Sequence, residues 1–268
     1  MDPFDFAERT RQAAAQVEHL TEEGVRQAAQ ILNQARDTLI LKLASAPTEY
    51  GEWYYSQLLH ETAALFADLQ TRYQADLRDT LDDVGQTVAQ AIDEPLRQAG
   101  LTLALPRISR QTVEALTTFP VGELIGGLTQ DGKQLIQNTL QLALLGVKTP
   151  WEVQQVLAGQ LDAAGPFHKI HARAEAIWQT EANRVFNTLA QARYQRLGAM
   201  FPGRFQKQWR HSGNTSHPRP NHVALDGQTI PMEDKFLVSG VECDGPHDAN
   251  LPASEVIRCG CTTILVQA

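Results

Sequence analysis

The 268 residues are 43% hydrophobic and 20% charged, which is the composition of a globular protein that buries a core. The chain has no run of about eighteen apolar residues and no secretion signal at its start, so we expect a soluble protein made in the cytoplasm. Three cysteines are too few for a disulfide framework and indicate reduced thiols or metal ligands.

The first hundred residues carry two stripes of apolar side chains at helical spacing. One helix is expected from Asp5 to Leu43, stopped by Ser45 to Pro47. A second is expected from Glu52 to Ile92, ended by Pro95 and Gly100. The pattern predicts an antiparallel helical hairpin, domain 1-100, whose stripes face either a core or an oligomerisation or docking surface. The stripes consist of Val25, Ala28, Leu32, Ala35, Leu39 and Leu43, and of Phe66, Leu69, Tyr73, Leu77, Leu81, Val84, Val88 and Ile92.

The middle of the chain, 101-200, is predicted to be a helical bundle. Thr149 to Glu152 is a helix start signal, because a capping threonine precedes a proline in the first turn and a glutamate follows three residues after the cap. A further helix is expected from Phe167 to Leu197.

The last part, 201-268, changes to short β-prone runs separated by Gly, Pro and Asn. These runs are Phe205 to Trp209, Val223 to Ile230, Phe236 to Ser239, and Val256 to Val266. The predicted fold class is therefore mainly α with a small C-terminal antiparallel β domain, of a size that often needs a local staple.

The cysteines point to one candidate for such a staple. Cys259 and Cys261 flank a glycine at the start of the last apolar run, and alternate residues of a strand face the same side. With His222 and Cys243 they predict a tetrahedral zinc site. Two alternatives stay open: His217 or His247 replaces one of the partners, or the thiols are ordinary buried core residues.

Charge is segregated along the chain, whose net charge is −8. The segment between Glu181 and Asp226 contains seven basic and no acidic residues, which leaves −15 for the rest. Aromatic residues alternate with these cations, a pattern typical of a nucleic-acid surface and equally of a helix packed on a sheet. The candidate DNA contacts are Arg193, Arg196, Arg204, Lys207 and Arg210.

The order of motifs near the C-terminus is distinctive: Pro-Arg-Pro-x-His at 218–222, Leu-Asp-Gly-Gln at 225–228 and Cys-x-Cys-Thr at 259–262. It resembles the closing motif of the phage Mu F-like minor head proteins, also called the phage head morphogenesis family. The segments 146–156 and 174–194 are similar to that family's lead-in, so the resemblance covers about Leu135 to Val266. Family members commonly carry Arg between the two cysteines, where this chain has Gly260.

The resemblance implies structural roles for residues of these motifs. Glu181 is expected to form a partly buried ion pair with Arg173 or Arg184, as against a solvated charged face. The residues themselves, apart from the resemblance, predict a tight turn at Asp226 and Gly227, fixed by side-chain bonds of the aspartate to backbone, with His222 hydrogen-bonded across it. The structural motif predicted in this way comprises Glu181, Arg184, Trp209, Arg219, His222, Asp226 and Gly227.

The resemblance also implies a function. The expected protein is a minor capsid component of a tailed phage, made in the host cytoplasm and located inside the head near the portal, where it assists head assembly, genome packaging or DNA delivery. Its expected partners are the portal protein, the capsid interior and, non-specifically, double-stranded DNA, with no membrane and with a homo-oligomer as one option. Because no nucleophile, phosphate-binding glycine loop or paired-carboxylate motif stands out, we do not expect an enzyme. The alternatives are a DNA-binding protein and a delivery module of a toxin or nuclease.

Overall fold

A computed structural model of the chain confirms a mainly helical fold with a small antiparallel sheet near the C-terminus. Within the residues it describes, no helix is long and apolar enough to cross a membrane. The structure describes residues 5–44, 52–103, 107–113, 133–134, 136–141, 166–212 and 218–268, and the single positions 105, 126, 130, 147, 152, 155 and 156.

Two long helices, α1 (Phe6–Ala44) and α2 (Glu52–Val88), form the predicted hairpin. The Tyr73 hydroxyl donates to the carbonyl of Ala28 at 2.8 Å, and Lys42 pairs with Glu61 at 2.7 Å, so these stretches run antiparallel. The whole predicted stripe of α2 is buried, as are its α1 counterparts Ala28, Leu32, Ala35 and Leu39. The predicted stop at Ser45 to Pro47 lies outside the described residues.

The end of α2 differs from the prediction at Pro95. The helix widens into a π-helical turn, Ala89–Asp93, and continues as α3 (Glu94–Gln98) with Pro95 in its first turn. Proline is tolerated there because first-turn amides need no intrahelical acceptor. The helix instead ends at Gly100, whose φ of 75° allows Leu101 to donate back to the Leu96 carbonyl.

The remaining long helix is α4 (Pro166–Met200), as predicted from Phe167 to Leu197. The predicted helix start at Thr149 to Glu152 lies mostly outside the described residues. Close packing requires glycine at Gly85 of α2, because a Cβ there lies 2.7 Å from a methyl group of Val113.

The C-terminal part contains two antiparallel sheets. One has the order β2-β1-β5, with β1 (Phe205–Arg210) between β2 (Thr229–Pro231) and β5 (Thr262–Gln267). The other is a hairpin of β3 (Phe236–Val238) and β4 (Val241–Cys243). Short helices α5 (Pro220–Ala224) and α6 (Ala253–Val256) complete this part.

Two predicted strand runs are therefore wrong in part. Val223 belongs to helix α5 and Val256 to helix α6, and only the ends of both runs are strands. Pro220 explains the first difference, since its fixed φ favours the first turn of a helix.

Two compact units each combine distant segments of the chain. The first comprises Met1–Glu23, Arg78–Thr118 and Trp178–Ala268, and the second comprises Gly24–Leu77 and Phe119–Ile177. Residues of α1, α2 and α4 belong to both units, and the continuous domains 1-100, 101-200 and 201-268 stay predictions.

Candidate metal centre

Three of the four predicted zinc ligands come together in the structure. Nδ1 of His222 lies 3.4 Å from Sγ of Cys259 and 3.6 Å from Sγ of Cys261. All three ligand atoms lie within 4.8 Å of one another, and each residue is only 2% exposed. We call these three residues the Cys₂His cluster.

The local backbone explains how this cluster forms. Arg219 is extended ahead of Pro220, and the single turn of α5 that follows directs His222 inward. On the other side Arg258 adopts a left-handed φ of 57°, which turns the chain sharply between α6 and the two cysteines. The Arg258 amide donates to Thr180 Oγ1 on α4 at 2.9 Å and so fixes this turn.

A carboxylate holds the other nitrogen of the imidazole. Nε2 of His222 lies 2.8 Å from Oε2 of Glu255 on α6. Burial raises the pKa of Glu255, but hydrogen bonds from Ser239, Asn221 and His222 outweigh burial and lower it. Burial likewise lowers the pKa of His222, and its contacts with Cys259 and Glu255 outweigh that effect and raise it. The histidine therefore lies between a carboxylate and two sulfur atoms.

The two thiols are coupled to each other. Their mutual hydrogen bond lowers the pKa of Cys259, against the effect of burial, and His222 and His247 lower it further. The same hydrogen bond, together with burial, raises the pKa of Cys261. The Cys259 sulfur is therefore the more readily ionised of the two, and the thiolate is the form of cysteine that binds a metal.

Aromatic and aliphatic side chains surround the cluster. The Trp209 ring packs edge-on against His222 and against Phe236, with centroid separations of 5.5 and 5.4 Å. Val238 and Leu251 complete this apolar core. Such a surrounding excludes water and strengthens each electrostatic contact inside it.

Cys243 is a correction to the predicted ligand set. It packs in the same apolar core, yet its sulfur does not join the three ligand atoms. Burial, reinforced by the carboxylate of Asp248, raises the pKa of its thiol to about 12. Cys243 lies at the end of β4 opposite Phe236 and packs with it in this core.

The two histidines weighed as alternative ligands have different outcomes. Nε2 of His247 lies 2.8 Å from the carbonyl oxygen of Cys259, so this ring braces the backbone of the cluster without joining its ligand atoms. His217 lies outside the described residues.

The motif residues predicted to be structural form a connected framework. Arg219 donates to the carbonyls of Ser254 and Ile257 at 2.8 and 2.7 Å, which ties α5 to α6. Asp226 accepts from the His211 amide at 2.8 Å, and Gly227 has a φ of 79° in the predicted turn. The ring of His222 bonds to Glu255 instead of crossing that turn, so this part of the prediction is wrong.

The predicted ion pair on α4 is confirmed. Buried Glu181 accepts hydrogen bonds from the guanidinium group of Arg184.

The predicted DNA contacts need a correction. Arg193 is 3% exposed and donates to both carboxylate oxygens of Asp93 at 2.7 and 2.9 Å. Lys207 is fully buried, 3.4 Å from Asp244 and above the Phe236 ring. Both cations are thus internal partners of carboxylates, because they lie where the helix and the sheet pack. Arg196 and Arg204 are exposed and Arg210 is half-buried.

Comparison with known proteins gives two distant relatives. No family model and no solved structure matches the chain. It is 38% identical over 66 residues to the uncharacterized protein YqbB of Bacillus subtilis (strain 168), a match that covers 24% of this chain and 22% of YqbB. It is 26% identical over 171 residues to the NAD(+)--arginine ADP-ribosyltransferase EFV of Enterococcus faecalis (strain ATCC 700802 / V583), which covers 62% of this chain and 33% of that protein.

These matches correct one expectation. The prediction that the chain is not an enzyme is contradicted, because the match to EFV covers more than half of this chain and EFV is named as an enzyme. The chain spans about a third of the length of EFV and about a fifth of YqbB.

Proposed function

We propose that the chain is a minor head protein of a tailed phage, located inside the head near the portal, where it assists head assembly, genome packaging or DNA delivery. The observation that carries the proposal is the convergence of the motifs behind the resemblance. Arg219, His222 and the two cysteines are separated by up to about forty residues in sequence, yet they lie close together, with His222 and the cysteines buried and Arg219 half-buried beside them. This convergence supports one structural module as opposed to scattered matches of residue type.

The Cys₂His cluster is proposed to hold a zinc ion. Zinc lies about 2.3 Å from sulfur and about 2.0–2.1 Å from imidazole nitrogen, so tetrahedral ligands of these kinds are roughly 3.5 Å apart. The observed nitrogen-to-sulfur separations of 3.4 and 3.6 Å fit that spacing. Thiolate and imidazole are also the ligand types that zinc favours. A bound zinc ion would supply folding free energy to a part of the chain whose strands are three to six residues long.

The same atoms also have the connectivity of a catalytic triad. Cys259, His222 and Glu255 follow the order of a nucleophile, a base and an orienting carboxylate. Two features favour the metal site. First, the Cys259 side chain is almost completely buried. Second, the Cys261 sulfur lies nearly as close to the same histidine nitrogen, which a metal site requires of its second ligand and a catalytic triad does not require.

Association with the phage head is tested by co-expressing the chain with the portal protein and by mass spectrometry of purified full and empty particles. Co-purification with portal and presence in the heads are expected. Absence from both would contradict the proposed location. A variant in which exposed Leu41 is changed to Asp examines whether the helical hairpin contributes to portal binding without disturbing its buried stripe.

A second candidate is arginine-directed ADP-ribosyl transfer, either by this chain or by a larger protein that contains it. The match of 171 residues to EFV favours it. Incubation of the purified chain with labelled NAD⁺ and an arginine-rich acceptor protein tests it. Label transferred to the acceptor supports this candidate, and the absence of transfer at high protein concentration removes it for the chain by itself.

A further inference from the structure

Glu255 connects the Cys₂His cluster to two neighbouring elements. Its Oε2 atom lies 2.8 Å from Nε2 of His222 and accepts from the Asn221 amide at 3.1 Å. Its Oε1 atom accepts from the Ser239 hydroxyl at 2.9 Å. Each carboxylate oxygen of Glu255 thus accepts at least one hydrogen bond, and the Glu255 side chain is 12% exposed.

This arrangement decides which imidazole nitrogen is free to bind a metal. A carboxylate has no proton to donate, so the 2.8 Å contact requires the proton on Nε2 of His222. In the neutral ring the lone pair is then on Nδ1, the atom that lies between the two sulfurs. Histidines that bind metals usually donate their other ring N–H to a carboxylate, carbonyl or water in this way.

A turn next to Glu255 supplies one of its hydrogen-bond donors. Ser239 and Gly240 form the two-residue turn between β3 and β4, with φ values of 51° and 82°. Such turns favour Asn or Gly in their first position, because positive φ strains other residues. Serine occupies it here and donates its hydroxyl to Glu255, so a strained residue orients the carboxylate.

We propose that Glu255 is a positioning residue for metal binding, which fixes the ring orientation and tautomer of His222 and thereby raises the affinity of the Cys₂His cluster for zinc. The inference rests on the proposed zinc function. It adds a residue that neither the cysteine and histidine pattern nor the predicted ligand set includes. It also assigns the α6 helix, through Glu255, to the metal centre.

The test measures zinc affinity in the full chain. Metal-free protein is titrated with zinc in competition with a chromophoric chelator, for the unsubstituted chain, Glu255→Ala, Glu255→Gln and the control Glu242→Gln on the exposed side of β4. Loss of an outer-shell partner weakens metal binding by about 10–100-fold, which is the effect expected for Glu255→Ala. Glu255→Gln should lose less but still some affinity, because its neutral carbonyl oxygen accepts from Nε2 without the negative charge that makes the imidazole a stronger ligand. Glu242→Gln should match the unsubstituted chain.

A second readout separates positioning from general stability. In metal-free protein the ¹⁵N chemical shifts of the His222 ring should report a single Nε2–H tautomer, which Glu255→Gln retains and Glu255→Ala loses. Unchanged zinc affinity in both Glu255 variants would overturn the role of Glu255 while the zinc site stands. Failure of the unsubstituted chain to bind zinc would overturn the proposed zinc function, and this inference with it. If Glu255→Ala does not fold, a Glu255→Gln affinity equal to that of the control overturns the inference.

Discussion

Asn187 of α4 holds the edge of strand β5 through the backbone amide of Thr263, which donates to the asparagine Oδ1 atom at 3.2 Å. The Nδ2 atom of the same side chain donates to the Cys261 carbonyl at 3.1 Å. Tyr194 and Thr10 satisfy the next groups along this edge, the Thr263 carbonyl and the Leu265 amide. Helix side chains thus cap an edge that would otherwise expose unpaired backbone groups, and they anchor the strand directly after the cysteines.

Replacement of Asn187 by Ala should therefore destabilise the protein. Two buried backbone groups lose their partners, and an unsatisfied buried group costs about 1–3 kcal/mol, so we expect a loss of about 2–4 kcal/mol. Urea unfolding followed by circular dichroism measures it. Asn138→Ala, on an exposed helical position, is the control and should change the free energy of unfolding by less than about 0.5 kcal/mol. Equal effects of the two substitutions would contradict the anchoring role.

The buried pair of Arg193 and Asp93 should contribute far more than an exposed ion pair. The Arg193 side chain is 4% exposed and that of Asp93 is 29% exposed. Asp93→Asn leaves a buried cation without its counter-charge, which we expect to cost about 2–4 kcal/mol after allowance for the partial exposure of Asp93. Asp79→Asn, which breaks the exposed pair with Arg110, should cost less than about 1 kcal/mol. Thermal unfolding of both variants measures the two losses of stability. A small loss for Asp93→Asn would contradict the prediction and mean that water reaches Arg193.

Asp244 should make stability depend on pH. Burial raises the pKa of Asp244, but the hydrogen bond from Lys235 at 2.6 Å and the charge of Lys207 outweigh burial and lower it below 3.8. A carboxyl group with a lowered folded-state pKa stabilises the protein above its unfolded pKa, and this contribution is lost as pH falls through the folded value. Asp244→Asn should therefore destabilise metal-free protein at pH 7, and the difference should shrink below about pH 4.

The measurement for Asp244 is chemical unfolding between pH 7 and pH 3, with chelator present throughout. Asp234→Asn, an exposed aspartate ten residues earlier, is the control and should leave the pH profile unchanged. A constant difference between Asp244→Asn and the unsubstituted chain across this range would contradict the assignment.

DNA binding should depend on the candidate cations that reach the surface, which are exposed Arg196 and Arg204 and half-buried Arg210. Replacement of Arg196, Arg204 and Arg210 by Glu should abolish non-specific binding, because it removes the cations that neutralise phosphates. In the unsubstituted protein, each phosphate contact should add about 0.9 to the steepness of the fall of log affinity with log salt. Arg193→Met should leave the affinity of folded protein unchanged, because that guanidinium faces Asp93. Fluorescence anisotropy with a random-sequence duplex at several salt concentrations measures both. Full binding by the triple variant would contradict this surface.

The helical part of the fold could be predicted from the sequence because apolar residues recur at helical spacing over long segments. The stripe from Phe66 to Ile92 is buried throughout, and a single Gly at position 100 ends the helix as expected. The short strands were harder to predict from the sequence. A three-residue strand such as β4 carries too few residues for an alternation pattern, and Pro220 turned part of a β-prone run into a helix.

The site could be predicted only as far as residue chemistry goes. His222 and the Cys-x-Cys pair were found because their types and spacing suit a metal, whereas Cys243 suits it equally by type and only the fold shows that its sulfur lies apart from the other three ligand atoms. Glu255 was missed because its contact with His222 spans 33 residues and depends on how α5 and α6 pack. Likewise, Lys207 alternates with half-buried neighbours on β1, and only the packing of that strand shows which side is buried.

The most direct test of the zinc centre is the zinc content of the full chain purified without chelator, measured by elemental analysis beside Cys259→Ser, Cys261→Ser and Cys243→Ser. Cys243 is the matched control, since it is equally buried in the same apolar core without joining the ligand atoms. We expect about one zinc per chain in the unsubstituted protein and in Cys243→Ser, in keeping with a single site, and loss of zinc with a lowered melting temperature in the other two. Zinc-free protein, or zinc that depends on Cys243 and not on Cys259 and Cys261, would contradict the account.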